Sequence, residues 1–410
     1  YQLVPGNAST HPFFVDASAK FKLLSDGVTK VLVFGLGRGG RAYYGLDITS
    51  KTGPKLLWRI NNGTTGFSEL GQSWSTPVLT QFANNGSPTY VAIFGGGYDP
   101  YFDTASNTTA NPSGYGRTLF MVNLQTGAQF PFTRPTGMNW AIPSDGLFID
   151  VNGDGIFDRG YIGDMGGNMW RISDSFTATL LFSAPSGHKI FYAPDAVVEN
   201  GSVNVYFGTG DRSNPMTTNV VDRFYAVRDD GTSNLTESSL VDVTNNVVQP
   251  GTPAATALLN QIKSAHGWFI QLGGSGEKVL ASPTVFFNVA FSTFTPSTAK
   301  CQAGGAAKLY EVDPFLGGPT LDLAGTSGGG LGGGAGSGGG VGSGAGGALI
   351  AADRSVAVGN SIPTSIKVTF GDNETKAFFG VTKGGGIGLQ PLNLPQMVSN
   401  VIPISWRHAW

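Results

Sequence analysis

Residues 90–97 read YVAIFGGG, a run of β-branched and aromatic residues that ends in three glycines. Valine, isoleucine, tyrosine and phenylalanine favour extended strands, and a glycine run ends a strand in a tight or left-handed turn. The same design recurs in VLVFGLG (31–37), VNVYFGTG (203–210) and KAFFGVTKGGG (376–386). This recurrence predicts an all-β chain that is built from repeated units.

The segments around each glycine-ended strand repeat as well. A second strand with aromatic residues, an Asp or Asn and a glycine turn follows it, as in RTLFMVNLQTGA (117–128). A strand that contains a small residue and proline precedes it, as in SWSTPVLT (73–80). Repetition at roughly 45–65 residues is typical of a radial or solenoidal array. Four antiparallel strands per unit, with glycine where backbones crowd towards an axis, favour the blade of a β-propeller.

Six such units can be read from the sequence, at about 10–60, 71–130, 139–184, 188–231, 276–323 and 355–410. We therefore predict a modified β-propeller of seven blades, with the seventh assembled from residues 232–275 or from the two termini. A β-sandwich gives less reason for glycine-ended strands at this spacing, and a β-helix has shorter repeats. Helical periodicity is weak and confined to residues 254–265.

We expect residues 1–410 to form a single propeller domain with one insert. Residues 324–349 are dominated by glycine and serine, so they cannot bury enough apolar surface to offset chain entropy. We expect a flexible loop there, within the fifth blade or between the fifth and the sixth. The ring tolerates such an insert because the cost of loop closure rises slowly with length.

Charge composition and hydropathy argue against a nucleic-acid partner and against a transmembrane segment. The chain has 25 basic and 27 acidic residues and no basic run, so we expect no nucleic-acid partner. No apolar run of about 18 residues occurs, so we expect no transmembrane segment.

The sequence begins YQLVPGNAST, without Met or a leader, and we interpret it as a fragment whose targeting signal lay upstream. Few Lys and Cys with many Asn, Thr and Gly favour the extracellular side.

The stretch DVNGDGIFD (150–158) predicts a calcium site. Calcium takes six to eight oxygen ligands at about 2.3–2.6 Å. The stretch places oxygen donors at the spacing of an EF-hand loop, from the side chains of Asp150, Asn152, Asp154 and Asp158 and the carbonyl of Ile156. Zinc is disfavoured because the stretch has no His or Cys, and magnesium because it retains water.

The predicted site is an EF-hand-like loop on a β-hairpin rather than between helices. Gly155 allows the sharp turn, and Tyr161 stands where the EF-hand has its bidentate acid, so Asp158 must close the site. Ile156 and Phe157 are expected to pack beneath the loop. Asp145 and Asp164, which lie near in sequence, are candidates for a supporting role. An ordinary acidic turn is the alternative.

No catalytic set is evident. The four histidines, His11, His188, His266 and His408, have no metal-ligand spacing, and the tryptophans recur at strand positions that are typical of blade core. Cys301, the one cysteine, is interpreted as a buried thiol or one whose partner lies outside the fragment, since nothing near it supports a nucleophile.

Taken together, these segments resemble the C-terminal domain of the PilY/PilC family of type IV pilus-associated proteins. The resemblance covers nearly the whole chain apart from the glycine insert. The segments that carry it are DVNGDGIFDRGYIGDMGGNMWRI (150–172), VYFGTGDRSN (205–214), GWFIQL (267–272), the run from TFTPST to KLYEVDP (293–314) and ISWRHAW (404–410).

The resemblance implies a seven-bladed modified propeller that is exported and lies at the outer membrane surface, at the pilus tip or outside the cell. It implies a non-enzymatic role in pilus biogenesis, pilus extension and retraction, twitching motility and adhesion to host or abiotic surfaces. Pilins are the implied partners, and we expect a monomeric domain. Matching positions imply Ca²⁺ bound by Asp150, Asn152, Asp154, Ile156 and Asp158. Cys301 matches a family cysteine but lacks a partner here, and no Arg-Gly-Asp occurs.

A quinoprotein-like dehydrogenase is the alternative function, because its blades share the small-Pro, Gly and aromatic pattern. Such an enzyme needs Arg, Asn, Glu and Trp around a quinone and a catalytic Asp beside a metal. The sequence does not allow such a set to be assembled. Absorbance of a bound quinone in the purified domain would favour the enzyme.

Overall fold

The computed structural model describes residues 13–104, 109–110, 114–246, 248, 252–297, 304–320, 322–323, 349–370, 375–380 and 387–392. Within these residues the chain forms 26 strands and a single α-helix, so the predicted all-β class is confirmed. The chain divides into two compact units, Tyr1–Leu181 with Lys189–Ala193, and Phe182–His188 with Pro194–Trp410. No helix among the described residues has the length and hydropathy needed to cross a bilayer.

The first unit contains three sheets whose strands lie in chain order. The first sheet consists of Lys20–Leu23 (β1), Lys30–Gly35 (β2), Ala42–Asp47 (β3) and Lys55–Asn61 (β4). The second consists of Val78–Asn84 (β5), Ser87–Gly95 (β6), Leu119–Asn123 (β7) and Gln129–Phe130 (β8). The third contains Leu147–Ile149 (β9), Arg159–Gly163 (β10), Asn168–Ser173 (β11) and Ala178–Ser183 (β12). These sheets match the first three predicted units.

The second unit contains the remaining elements. These are Asp195–Glu199 (β13), Ser202–Gly208 (β14), Arg223–Asp229 (β15), Leu235–Thr236 (β16), Val241–Asp242 (β17), Pro253–Ser264 (α1), Gly267–Gln271 (β18), Lys278–Val279 (β19), Thr284–Val285 (β20), Val289–Pro296 (β21), Gly305–Val312 (β22), Ser355–Gly359 (β23), Lys367–Phe370 (β24), Thr375–Gly380 (β25) and Ile387–Leu392 (β26). The sheet orders are β13-β14-β15-β18-β17, β19-β21-β22-β23 with β20 on β21, and β24-β25-β26, while β16 pairs with the end of β12.

The strands of segment 232–275 pair with strands of the third and fourth sheets and do not form a separate blade. Its strand β18 pairs with β15 in the fourth sheet. The weak helical periodicity at residues 254–265 is confirmed, because α1 forms there. The hydroxyl of Thr252 accepts from Ala255 N–H (3.1 Å) and caps this helix. The termini, the other predicted source of a seventh blade, fall largely outside the described residues. The seven-blade count and the single domain stay predictions.

The boundary between the fifth and sixth units differs from the prediction. Strand β23 was expected to begin the sixth unit at residue 355, but it pairs with β22 and so completes the fifth sheet. The sixth sheet begins at Lys367. Both strands that flank the glycine insert therefore belong to the fifth sheet. The insert itself, apart from Leu349, lies outside the described residues, as does Cys301.

Aromatic and aliphatic side chains fill the space between neighbouring sheets. Trp58, Trp170 and Trp268 are at most 6% exposed, which confirms these tryptophans as core residues. Between the first and second sheets the buried cluster consists of Leu24, Val31, Val33, Tyr43, Trp58, Ile60, Phe67, Leu70, Ala92, Phe94, Phe120, Val122 and Leu124. Trp74 and Trp140 are partly exposed instead.

The glycines that end the inner strands allow close approach of neighbouring backbones. A Cβ atom added to Gly95 would lie 2.3 Å from the carbonyl oxygen of Ile142, and one added to Gly35 would lie 2.7 Å from that of Ser73. Contacts under 3.0 Å are not tolerated without backbone movement, so these positions require glycine. The left-handed turn that the sequence predicts comes two residues later, at Gly97 (φ 100°).

Asp164 closes a buried turn between β10 and β11. Its carboxylate, which is fully buried, accepts from the backbone N–H groups of Gly166 (2.8 Å) and Asn168 (3.0 Å) and from the indole Nε1–H of Trp170 (2.8 Å). Burial raises the pKa of this carboxyl, and the hydrogen bonds oppose that rise. The side chain therefore organises the turn and holds Trp170 in the core.

We predict that Gly95→Ala lowers the free energy of unfolding by about 1–3 kcal/mol, because the new methyl group overlaps the Ile142 carbonyl. Gly273→Ala is the matched control, since a Cβ there meets no atom within 4 Å. Urea unfolding monitored by circular dichroism measures both variants. Equal stability of the two would contradict the close-approach interpretation.

We predict that Asp164→Ala costs about 3 kcal/mol of stability, because buried N–H donors lose their acceptor. The exposed Asp174→Ala should change stability by less than about 0.5 kcal/mol. Thermal unfolding of both variants measures the difference. A wild-type melting temperature for Asp164→Ala would show that the turn does not depend on this carboxylate.

Candidate metal centre

The acidic stretch 150–158 lies on a hairpin, as predicted. It connects β9 to β10, which pair in antiparallel fashion with Arg159 opposite Ile149. The backbone N–H of Asp158 donates to the carbonyl of Ile149 (2.9 Å) and closes the base of the loop. Residues 151–155 are exposed, so dissolved ions can reach the loop.

Asp150 holds the first half of the loop in shape. Its two carboxylate oxygens accept from the backbone N–H groups of Gly153 (2.6 Å) and Gly155 (2.7 Å). Both glycines have positive φ angles, 82° and 86°, in the region that residues with side chains rarely adopt. The sequence-based role of Gly155 as the turn-forming residue therefore agrees with its backbone conformation.

Asp154 and Asp158 converge on the amide of Asn152. The Nδ2 atom of Asn152 lies 3.3 Å from an oxygen of Asp154 and 3.2 Å from an oxygen of Asp158. The other oxygen of Asp158 accepts from the backbone N–H groups of Val151 (2.6 Å) and Asn152 (3.1 Å). The amide N–H group, which carries partial positive charge, thus lies between two carboxylates.

The structure brings the predicted residues into one loop without gathering all three carboxylates around one point. In the described part of the chain, no three acidic, His or Cys side chains are arranged to enclose a metal. Asp150 is directed at the glycine N–H groups, and Asp154 also accepts from Ile156 N (2.8 Å). Bringing the three together requires side-chain rotation within the loop.

The donor set nevertheless fits calcium in its chemistry. Each carboxylate or carbonyl oxygen has two lone pairs, so an oxygen that accepts one N–H keeps a position for a cation. Rotation of the Asn152 amide would replace its N–H group with an oxygen at the place where the two carboxylates converge. All predicted donors are oxygens, which calcium prefers.

A neighbouring sheet anchors the loop. Phe157 is 1% exposed and packs beside Phe82 and Phe148, with ring centroids 5.9 and 5.1 Å away. Its backbone N–H donates to the carbonyl of Gln81 (3.0 Å), which lies on β5. The packing prediction is thus confirmed for Phe157, whereas Ile156 stays partly exposed. No local sequence pattern points to Gln81, because it lies about 70 residues from the loop.

The two other acids near this stretch have separate structural contacts. Asp145 accepts from the backbone N–H of Thr76 (2.6 Å). The side chain of Asp164 accepts from Gly166, Asn168 and Trp170, in the turn and on β11. Of the histidines, His188 is buried, with Nδ1 2.8 Å from the carbonyl of Pro185. His11 and His408 lie outside the described residues.

Known proteins resemble this chain in sequence. A relative from Xylella fastidiosa, described as a type IV pilus biogenesis factor PilY1 homolog, is 28% identical over 356 residues, which cover 79% of this chain and 27% of the relative. Type IV pilus biogenesis factor PilY1 from Pseudomonas aeruginosa is 26% identical over 390 residues, which cover 77% of this chain and 32% of that protein. The chain thus spans about a quarter to a third of these relatives.

The fold is also similar to a solved structure. The crystal structure of the Pseudomonas aeruginosa PilY1 C-terminal domain matches with a TM-score of 0.65 at 19% identity, covering 93% of this chain and 85% of that one. The match confirms the predicted modified β-propeller fold. The sequence profile described as "PilY1 beta-propeller domain" matches residues 5–229, more than half of the chain. The chain therefore belongs to the PilY1 β-propeller family.

Proposed function

We propose that this chain is a non-enzymatic, calcium-binding propeller domain of a type IV pilus-associated protein. In this proposal it supports pilus biogenesis, the balance of pilus extension and retraction, twitching motility and surface adhesion. The observation that carries the proposal is the oxygen-lined hairpin loop 150–158 in a chain of the PilY1 family.

The charge arrangement of the loop supports a cation. Asp154 and Asp158 both accept from the side-chain NH2 group of Asn152. Like charges a few ångströms apart repel by several kcal/mol at an intermediate dielectric, and salt screens this repulsion where the loop is exposed. A divalent cation converts the repulsion into attraction. Calcium therefore favours a loop in which both carboxylates and the Asn152 oxygen face one ion.

The effect of the ion is local in this proposal. The hairpin base is closed by Asp158 N–H and Ile149, and Phe157 is packed in the core. The sheets therefore do not depend on calcium for folding, and the ion changes mainly the exposed residues 151–155. Such a change suits a regulated contact with pilins, or with host or abiotic surfaces, for a protein that is exported to the outer membrane surface or pilus tip.

We predict that the wild-type chain binds one calcium ion reversibly and that Asp158→Ala weakens binding at least about tenfold, because the loop loses the acid that closes it. Titration calorimetry with chelator reversal measures the affinity. Asp174→Ala, which removes an exposed acid elsewhere, should bind as the wild type does. Unchanged affinity of the Asp158 variant, with intact circular dichroism, would refute the ligand assignment.

We predict that the full-length protein with Asp158→Ala accumulates normally but lowers surface pilin and twitching zones at least about twofold. The reason is that the loop cannot adopt its ion-bound form. Sheared-pilin immunoblots and subsurface twitching assays in the bacterium of origin measure both. The Asp174→Ala protein is again the control. Normal piliation of a strain whose variant has lost calcium binding would refute the pilus role while leaving the calcium site intact.

A further inference from the structure

The first sheet carries a concentration of positive charge that the chain as a whole does not have. Residues 20–59 include eight basic and two acidic residues, whereas the full chain has a net charge of −2. The basic residues are separated by two to ten positions, so they do not form a run. Strand pairing gathers several of them.

Two turns meet at one end of this sheet. Because β1, β2, β3 and β4 are antiparallel neighbours, the β1–β2 turn and the β3–β4 turn lie at the same end. Direct hydrogen bonds join them, from Lys30 N–H to the Thr49 hydroxyl (3.0 Å) and from Ile48 N–H to the Lys30 carbonyl (2.9 Å). We call residues 22–30 and 47–57 the turn end of the first sheet.

The cations of the turn end outnumber its acids, four lysines to two aspartates, although Asp47 lies opposite Lys55 and interacts with it electrostatically. None of its lysines forms an ion pair within the described part of the chain; these are Lys22, Lys30, Lys51 and Lys55. The two acids are engaged by their own turns. Asp26 accepts from the backbone N–H groups of Val28 (2.9 Å) and Thr29 (2.8 Å), and Asp47 accepts from that of Thr49 (2.8 Å).

Apolar side chains protrude among these lysines. Val28 is 62% exposed at the tip of the β1–β2 turn, and Leu56 is 61% exposed at the start of β4. Leu23 and Leu57 add side chains that are 43% and 36% exposed. These exposed apolar groups lie at the same end of the sheet as the lysines.

We propose that the turn end of the first sheet docks on an anionic, phosphate-bearing lipid surface. Its cations are all lysines, a residue type that is depleted in protein–protein interfaces, where Arg, Tyr and Trp are enriched. Lysines instead suit a lipid surface, because their long stems lie along apolar groups while the ammonium reaches the phosphates. Val28 and Leu56 protrude from a turn and a strand start, and can enter the boundary between headgroups and acyl chains.

The surface is independent of the calcium loop. Its lysines lie on β1, β2, β4 and the β3–β4 turn of the first sheet, whereas the loop 150–158 connects β9 and β10 of the third. Loss of calcium binding through Asp158→Ala should therefore leave lipid docking unchanged. This separates failure of the docking proposal from failure of the proposed function.

Co-sedimentation of the full chain with vesicles tests the proposal. Vesicles of equal parts phosphatidylglycerol and phosphatidylethanolamine should bind the chain, and vesicles of phosphatidylcholine alone should not. Binding should weaken as salt rises from about 0.05 to 0.5 M, because screening shortens the reach of the charges. Equal binding to both vesicle types, or to neither, would overturn the proposal.

Two variants separate charge from apolar insertion. Lys51→Glu/Lys55→Glu should lower the partition coefficient at least about tenfold. Arg212→Glu/Lys263→Glu makes the same change of net charge at exposed positions outside the first sheet, and should bind as the wild type does. Val28→Ser/Leu56→Ser should weaken binding several-fold without changing its salt dependence.

Two outcomes would overturn the proposal even if the wild type sediments with anionic vesicles. One is an equal loss of binding in the Arg212/Lys263 control, which would indicate a non-specific effect of net charge. The other is dimerisation in sedimentation velocity that Val28→Ser/Leu56→Ser abolishes while vesicle binding persists, which would assign this surface to a second copy of the chain.

Discussion

Close approach of neighbouring backbones is the constraint on which this architecture depends. Where the inner strands end, a Cβ atom would overlap a neighbouring backbone: it would lie 2.3 Å from the carbonyl oxygen of Ile142 at Gly95 and 2.7 Å from that of Ser73 at Gly35. Glycine lets the sheets converge there, and large side chains such as Tyr43, Phe94 and Trp170 fill the wider space between them. The recurrence of glycine at this point is why the repeat could be read from the sequence.

The loop 150–158 uses that convergence. It extends from the third sheet, but Phe157 packs beside Phe82 and donates its N–H to Gln81 on the second sheet. Two adjacent sheets therefore fix the base of the loop, while the acidic residues at its tip stay exposed. The glycines at 153 and 155 supply the turn, and Asn152 brings two carboxylates together. The proposed calcium site therefore lies at the exposed tip of a loop whose base is already anchored.

The basic, apolar turn end of the first sheet arises in a different way. Its lysines are dispersed along the chain, and each alone is an ordinary solvated side chain. Antiparallel pairing folds the two turns onto the same end, where Lys30 and Thr49 are hydrogen-bonded. Four lysines against two aspartates leave this end of the sheet with a net positive charge.

The sequence by itself determined the repeated strands, the first three sheets and the position of the loop, because these depend on residue patterns that are local or that recur along the chain. Tertiary structure decided the rest. Strand β18 joins β15 across a long connection that contains α1, and β23 joins β22 across the glycine insert, so blade boundaries there could not be read locally. The anchoring of Phe157 by Gln81, the separate roles of Asp145 and Asp164, and the convergence of the lysines were also decided by folding. Pairing between strands that are distant in sequence sets these contacts, and no local pattern encodes their partners.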